Sequence, residues 1–305
     1  MSPAAPLPLR FQVGARTLFS LERTLVRVAL SLDDVLNDRA PVLPPLPGDA
    51  HGYLVTSLPA DRLLALTAAR SGDIAFIRQR YVRYHVDLTI GFDAWLAGLS
   101  ANVRSQLRRK TKRLAARSGG APDIRACRTP DEMAAFHTIA RGVAAKTYQE
   151  LLMGAGIPGH SAFTDQMARL AAADQVRGWL LYIDGEPAAY LYCPVRGDTL
   201  IYEYVGHDPA FSALSPGMVL QFAAFEQLFA EDSFRRFDFT EGEGQHKRQM
   251  ASSGIDCLDL LLLRGSFPNR ALIAALGGFD HGVGAVKKWI EATPLGSLAK
   301  RIRRG

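Results

Sequence analysis

The chain has 305 residues, 48% of them hydrophobic and 22% charged, with a formal net charge of +6 at pH 7. This composition is typical of a globular protein, and the length suggests two domains of about 100–200 residues each. No apolar run approaches the roughly 18 residues that a membrane span needs, and the segment MSPAAPLPLRF has no signal-peptide pattern. The three cysteines lie far apart without a CxxC pair, which argues against disulfides and structural zinc. We therefore expect a cytoplasmic protein with no bound metal.

The first ninety residues predict an α/β arrangement around a proline-rich loop. Apolar patterning predicts a helix near 59–70 and strands at 9–19, 22–30, 52–57, 73–78 and 81–88. The loop PVLPPLPG at 41–48 cannot lie inside a helix or a central strand. A long helix is predicted from about Phe92 to Arg117, and the segment SGGAP at 118–122 ends it. We place a domain boundary at this segment.

The part of this helix at 99–117 is basic and amphipathic. Its apolar stripe consists of Leu99, Val103, Leu107 and Leu114, and cations fill the remainder, namely Arg104, Arg108, Arg109, Lys112 and Arg113. A solvated surface helix is one interpretation. The others are contact with CoA phosphates, an acidic carrier protein, tRNA or an anionic membrane. A second basic cluster in VKKWIEATPLGSLAKRIRRG also fits a membrane surface, whereas no motif for DNA recognition accompanies the charge.

The second part of the chain has a regular order of elements. Thr129 and Pro130 begin a helix, and Asp184-Gly185 predicts a hairpin turn between two strands. The other predicted elements are a helix at 162–173, a helix at 216–231, a short helix at 245–251, and strands at 123–128, 179–183, 188–195, 199–205, 235–240 and 257–264.

The predicted strand at 199–205 carries a single acid. Alternation of side chains places Glu203 on one face with Ile201 and Val205. Leu200, Tyr202 and Tyr204 are on the other face. Burial among apolar neighbours raises the pKa of a carboxyl group toward the range of a general base. The alternative is a surface acid on an edge strand.

The predicted helix at 216–231 begins with Ser215 as its N-cap and Pro216 in its first turn. Gly217 leaves space where a ligand would approach, and the free amides and helix dipole suit a phosphate. Met218 begins an apolar stripe on this helix. An ordinary capped helix is the alternative.

Polar residues near the ends of the other strands are further candidates. His246 titrates near neutrality and is a candidate general acid, while Lys247 suits an anionic donor or a pairing with Asp238 or Glu241. His207 ends a strand close to the helix at 216–231. Lys146 and Tyr148 precede a glycine-rich loop at 153–159, which is either a lid over the acceptor site or a flexible surface loop.

Five segments carry a resemblance to a known family. They are FDAWLAGLSANVRSQLRRKTKRL (92–114), AAKTYQ (144–149), WLLYIDGEPAAYLY (179–192), YVGHDPAFSALSPGMVL (204–220) and FDFTEGEGQHK (237–247). With the order of the elements, they resemble the CelD/BcsL-like (BioF2-like) branch of the GNAT acyltransferase superfamily, distantly related to the FemABX peptidyl transferases. The sequence departs from the family in two motifs. LSPG replaces the glycine-rich pyrophosphate loop, and His246-Lys247 stands where the branch often has Tyr-Lys.

The resemblance implies an α/β fold with a mixed sheet and two tandem GNAT-like halves. Residues 1–120 would form a degenerate half that ends in the basic helix, 121–268 the acyltransferase half, and 269–305 a basic helical tail. The donor's phosphate arm would lie at Ser215–Gly217, with Met218 and Lys247 as further donor contacts.

The activity implied is transfer of an acyl group from acyl-CoA or an acyl carrier protein to a small-molecule or lipid amine, in envelope lipid or polysaccharide synthesis. Glu203 would accept the amine proton, His246 or Tyr204 would return a proton to the thiolate, and amides near Val205 and Gly206 would hold the carbonyl. The implied acceptor contacts are Lys146, Tyr148, His207, Asp238 and Glu241. No permanently bound cofactor is expected.

Two other functions stay open from the sequence. One is FemABX-like transfer from aminoacyl-tRNA, which the basic helix favours. The other is a catalytically inactive GNAT-like binding module. The expected location is the cytoplasm, including the inner face of the membrane.

Overall fold

The structure is a computed structural model that describes residues 4–13, 16–147, 156–242 and 244–292. The chain forms two compact units. One unit consists of Met1–Arg80 together with Asp256–Gly305, and the other of Tyr81–Ile255.

The secondary structure is a mixture of strands and helices along the whole described chain. The strands are β1 (Ala4–Val13), β2 (Arg16–Ala29), β3 (Gly52–Pro59), β4 (Asp73–Asp87), β5 (Asp123–Cys127), β6 (Val176–Ile183), β7 (Glu186–Arg196), β8 (Thr199–Ile201), β9 (Tyr204–His207), β10 (Arg236–Asp238) and β11 (Ser253–Arg264). The helices are α1 (Leu32–Leu36), α2 (Leu63–Ala69), α3 (Phe92–Gly98), α4 (Ala101–Ala115), α5 (Pro130–Ala144), α6 (Ser161–Ala172), α7 (Pro216–Glu231), α8 (Gln245–Met250) and α9 (Phe267–Ala292).

The first unit contains a sheet in the order β1-β2-β3-β11-β4. Strand β2 pairs with β1 antiparallel and with β3 parallel, and β3 pairs with β11 antiparallel. One face of this sheet packs against α9, where Leu9 and Phe11 meet Leu261 and Leu276. Burial of these side chains holds the unit together.

The second unit contains a sheet in the order β4-β10-β8-β7-β6-β5, and β9 pairs separately with β7. Among the described residues its strands pair antiparallel, except that β10 pairs with β8 in parallel. Helices α3, α4 and α7 cover one face through Trp95, Leu107 and Phe225. Helices α5 and α6 cover the other through Phe136 and Met167. The mixed α/β fold predicted from the sequence is confirmed.

Local sequence signals in this unit predicted several elements well. Thr129 and Glu132 form a complete capping box at the start of α5. The turn between β6 and β7 has Asp184 at φ 54° and Gly185 at φ 82°, as a two-residue hairpin with positive φ at both positions requires. Helix α7 and the short helix α8 also lie where the sequence predicts them.

The single helix predicted over 92–117 is wrong. Leu99 is extended, with φ −69° and ψ 149°, so α3 ends before it. The hydroxyl of Ser100 then accepts a hydrogen bond from the Val103 amide and begins α4. Likewise, the strands predicted at 73–78 and 81–88 form one strand, β4.

The compact units do not divide at 118–122. That segment follows α4 as predicted but lies within the second unit, and the limits of the units fall in β4 and near the start of β11. Because these limits lie within strands, no change in composition marks them in the sequence. The assignment of 1–120, 121–268 and 269–305 as GNAT-like halves and a tail stays a prediction.

Candidate functional site

The sheet of the second unit opens between β9 and β10. Strand β8 pairs with β10 in parallel as far as Ile201 and Asp238. Tyr202 and Glu203 lie outside both β8 and β9, and β9 continues along a separate stretch of β7, with Gly206 opposite Tyr190. The continuous strand predicted at 199–205 is therefore wrong. Because the strand is interrupted at Tyr202 and Glu203, simple alternation does not give the direction of the Glu203 side chain.

A cavity of about 630 Å³ lies at this opening. One wall is β9, represented by Val205, Gly206 and His207. The opposite wall is the start of α7, where Gly217 and Met218 line the cavity. Gln221, one turn further along α7, also lines it, and Tyr202 and His246 contribute from the strand interruption and from α8. Five of the residues predicted for donor binding thus surround one cavity, namely Val205, Gly206, Ser215, Gly217 and Met218.

Ser215 does not cap α7 as the sequence predicts. Its backbone is left-handed, with φ 54° and ψ 53°, and its side chain makes no capping hydrogen bond. A left-handed residue other than glycine carries strain of order 1–3 kcal/mol, and such strain is frequent at functional sites. Here it turns the chain sharply from a short 3-10 segment, Pro209–Leu214, into α7, so that the start of the helix faces the cavity.

The two glycines that line the cavity have different surroundings. A Cβ atom on Gly206 would lie 2.6 Å from the Tyr190 ring, so the close approach of this ring requires glycine. A Cβ atom on Gly217 would meet nothing within 4 Å. The open space beside Gly217 agrees with the predicted approach of a ligand to the helix N-terminus.

Glu203 and Tyr204 do not line the cavity. Glu203 is exposed, its amide donates to the Tyr192 carbonyl at 3.3 Å, and partial burial of the carboxyl group raises its pKa. The Tyr204 ring packs between Phe163, at 5.6 Å, and Tyr192, at 6.0 Å. Their catalytic roles stay predictions.

His246 does line the cavity, and its partner is a residue that the sequence analysis missed. The hydroxyl of buried Tyr202 lies 3.2 Å from His246 Nε2. His246 is exposed at its outer edge, and partial burial of its ring lowers its pKa, while burial raises that of Tyr202, so that both groups are neutral at pH 7. The prediction of a continuous strand placed Tyr202 on the face opposite Glu203, so Tyr202 was not considered as a site residue. The sequence signal that could have indicated it is a tyrosine directly before the candidate base Glu203.

Lys247, Asp238 and Glu241 form the support beneath this part of the site. The Lys247 ammonium donates to the carbonyls of Phe239 at 2.8 Å and Glu241 at 2.7 Å, and burial lowers its pKa. Asp238 is fully buried and pairs with Arg83, whose Nη2 lies 2.5 Å from Oδ2. None of the three lines the cavity. Their predicted roles in donor and acceptor binding stay predictions.

The predicted acceptor residues are distributed around the other end of the cavity. His207 lines it and places Nε2 3.3 Å from the Ser212 hydroxyl, and burial lowers its pKa. Lys146 pairs with Asp208 at 2.8 Å, and this hydrogen bond lowers the Asp208 pKa. Thr147 lines the cavity. Tyr148 and residues 153–155 of the predicted lid lie outside the described residues.

Helix α4 is amphipathic and basic, as predicted. Val103, Leu107 and Leu114 are buried. The outward face has a shallow depression over Ala101 and Ser105, lined by the cations Arg104, Arg108, Arg109 and Lys112. The sequence has no acidic residue between Asp93 and Asp123. This face therefore attracts anions.

Within the described ranges, no group of three or more His, Cys, Asp or Glu side chains could hold a metal ion. Within the same ranges, none of the helices has both the length and the apolar character needed to cross a membrane.

Part of the chain is similar to a known family. Residues 101–248, just under half of the chain, match the family model described as acetyltransferase (GNAT) domain. The match includes Tyr202, Gly217 and His246, and the predicted resemblance is confirmed at this level. Its narrower CelD/BcsL-like branch stays a prediction. A search of curated proteins gives no significant match.

Solved structures resemble this chain in fold. The DUF2156 domain of a protein from Agrobacterium fabrum, described as a lysylphosphatidylglycerol synthetase, is 11% identical, with a TM-score of 0.50 over 75% of this chain and 72% of that one. FemX is 9% identical, with a TM-score of 0.52 over 89% of this chain and 90% of FemX. At these identities the likeness shows the fold alone.

Proposed function

We propose that the protein is an N-acyltransferase that moves an acyl group from acyl-CoA to an amine. The observation that carries this proposal is the cavity within the part of the chain that matches the GNAT model, at the opening between β9 and β10 and beside the start of α7. A volume of about 630 Å³ is within the usual range for small-molecule sites. The helix N-terminus at one wall suits the phosphates of the donor.

The reaction requires one bond to form and one to break. The amine nitrogen attacks the thioester carbonyl carbon, the carbon–sulfur bond breaks, and one proton passes from the amine to the departing thiolate. Val205 and Gly206 line the cavity, and the one of their backbone amides that points away from β7 would hold the carbonyl oxygen as negative charge develops on it. The first turn of α7, at Gly217, would hold the phosphate arm.

His246 and Tyr202 are the proposed groups for the proton transfer. A histidine with a lowered pKa is neutral at pH 7 and suited to accept the amine proton. Tyr202, 3.2 Å from His246 Nε2, would donate to the thiolate and recover a proton from His246. This order reverses the donor role that the sequence suggests for His246. Glu203 is the competing base and would act through water.

A substitution of Glu203 by glutamine separates the two bases. Because Glu203 does not line the cavity, we expect the variant to keep turnover within about tenfold of wild type, less than the 10²–10⁴-fold effect of a general base. Glu226→Gln is a matched control, since burial also raises the pKa of this distant acid. Release of free thiol from acetyl-CoA with a panel of amines measures both. A loss of 100-fold or more would return the base role to Glu203.

The acceptor we propose is a lipid amine of the cell envelope. The basic outward face of α4 supports this choice, because it would hold the protein at an anionic membrane where such an acceptor resides. Flotation with anionic vesicles, without detergent, tests it. A protein that stays unbound would rule out a membrane acceptor.

A second candidate function is transfer from aminoacyl-tRNA. The observation that favours it is the group of cations on the outward face of α4, among them Arg104, Arg108 and Arg109. The guanidinium group of arginine can donate two hydrogen bonds to one phosphate. RNA held by four such cations would lose affinity steeply with salt, with a log–log slope of about −3 for a single strand. Weak, salt-insensitive binding would exclude this function. Failure to bind acyl-CoA as well would favour a binding module without activity.

A further inference from the structure

Gln221 is a polar residue in the buried face of α7. Its side chain is only 4% exposed, and it follows Leu220 and precedes Ala224 in the apolar cluster of the unit. It nevertheless belongs to the lining of the cavity, together with Gly217 and Met218 on the turn before it. Gln221 therefore lies one helical turn, about 5.4 Å, further along the cavity wall than the start of α7.

The amide nitrogen of this side chain, Nε2, is buried and has no hydrogen-bond partner among the described residues. Buried donors without a partner are rare in native proteins, because the lost hydrogen bonds to water are not replaced. A leucine or methionine would fill the same volume without that loss. The fold alone thus gives no reason for glutamine at this position.

We propose that Gln221 binds a carbonyl oxygen of the acyl donor, a statement that rests on the proposed function. A donor whose phosphate lies at the start of α7 extends along the wall past Gln221 toward Tyr202 and His246. An amide or thioester carbonyl on that arm supplies the acceptor that Nε2 lacks. Because Nε2 is buried in the free protein, donor binding would require a rotation about the last side-chain torsion that brings Nε2 to the cavity surface. Gln221 thereby favours a donor that carries a carbonyl group at the depth of this side chain in the cavity. A donor with a purely apolar chain of the same length would bind more weakly.

The variant Gln221→Leu tests this role, because it should weaken binding of acetyl-CoA without lowering the stability of the free protein. In the absence of ligand, the melting temperature should stay the same or rise, because a buried unpaired donor is removed. The Kd for acetyl-CoA should increase about tenfold, since a hydrogen bond to the ligand is lost. Gln221→Met, which has an unbranched side chain, should behave in the same way. Thermal melting and isothermal titration calorimetry measure the two quantities.

Gln227 on the same helix is the matched control. Its Oε1 already accepts a hydrogen bond from Trp179 Nε1 at 2.8 Å. Gln227→Leu should therefore lower the melting temperature and leave the Kd for acetyl-CoA unchanged. The comparison separates loss of a structural hydrogen bond from loss of a ligand contact.

Three results would overturn the inference. Equal affinity of wild type and Gln221→Leu for acetyl-CoA would show that the amide does not contact the donor. A fall in melting temperature without ligand, as for Gln227→Leu, would show a structural role. Failure of wild type itself to bind acetyl-CoA would reject the proposed function and this contact together. The first result requires that wild type binds acetyl-CoA, and the second is measured without ligand, so neither can be confused with this failure.

Discussion

Replacement of His246 by asparagine is expected to lower turnover by about 10²–10⁴-fold, the usual contribution of a general acid or base. The reason is its position. His246 lines the cavity and lies 3.2 Å from the Tyr202 hydroxyl. Thiol release from acetyl-CoA with the best amine of a panel measures the effect. Tyr202→Phe should show a comparable loss while the ring keeps its contacts with Phe237 and Phe239.

The dependence on pH tells the two possible roles of His246 apart. Burial lowers its pKa below the ordinary value of 6.5. As a base it acts when neutral, so kcat/KM should rise with pH through this lowered pKa and be level by pH 7. As an acid it would act when protonated, and kcat/KM would fall over the same range.

A matched control for His246 lies on the same short helix. Arg248 is exposed on α8, and Arg248→Ala should leave kcat within about threefold of wild type, as for most surface changes away from the chemistry. An equal loss in both variants would mean that α8 had been disturbed. Full activity in His246→Asn would contradict the assignment of this side chain.

The second large effect concerns stability. Asp238→Ala is expected to lower the free energy of unfolding by about 3–5 kcal/mol, because it leaves a buried guanidinium without its partner. Asp238 is fully buried. It accepts from Arg83 Nε at 3.2 Å and Nη2 at 2.5 Å, and from the Thr240 amide at 2.8 Å. Urea unfolding followed by circular dichroism measures the change.

An exposed ion pair supplies the control for Asp238. Arg117 and Asp184 pair at the surface, with side chains 48% and 46% exposed. Arg117→Ala should cost no more than about 1 kcal/mol from the lost ion pair, and it leaves the turn at Asp184 unchanged. If Asp238→Ala costs as little, the pair with Arg83 does not stabilise the support beneath the site.

Local signals explain what the sequence predicts well. The capping box at Thr129 and the hairpin turn at Asp184-Gly185 depend on residues within four positions of each other, and both elements form as expected. The start of α7, where Pro216 and Gly217 line the cavity, is likewise predicted from neighbouring residues. The candidate donor site could therefore be located from sequence patterns and the resemblance.

Long-range pairings explain what the sequence does not predict. The break at Tyr202 and Glu203 arises because β8 and β9 follow different partners, β10 and a separate part of β7. Asp238 finds Arg83, 155 positions away, rather than Lys247. The partner of His246 is Tyr202, 44 positions away. No pattern of neighbouring residues contains these contacts.

We propose that the cavity beside α7 holds an acyl-CoA, and titration of acetyl-CoA into wild type and Gly217→Val tests this claim most directly. A Cβ atom at Gly217 meets nothing within 4 Å, so the variant should fold with little change in melting temperature. Gly142→Val in α5, also open to 4 Å, is the matched control away from the cavity. We predict that calorimetry shows binding to wild type and to Gly142→Val, and at least tenfold weaker binding to Gly217→Val. No binding to wild type, or equal binding to all three proteins, would contradict the claim.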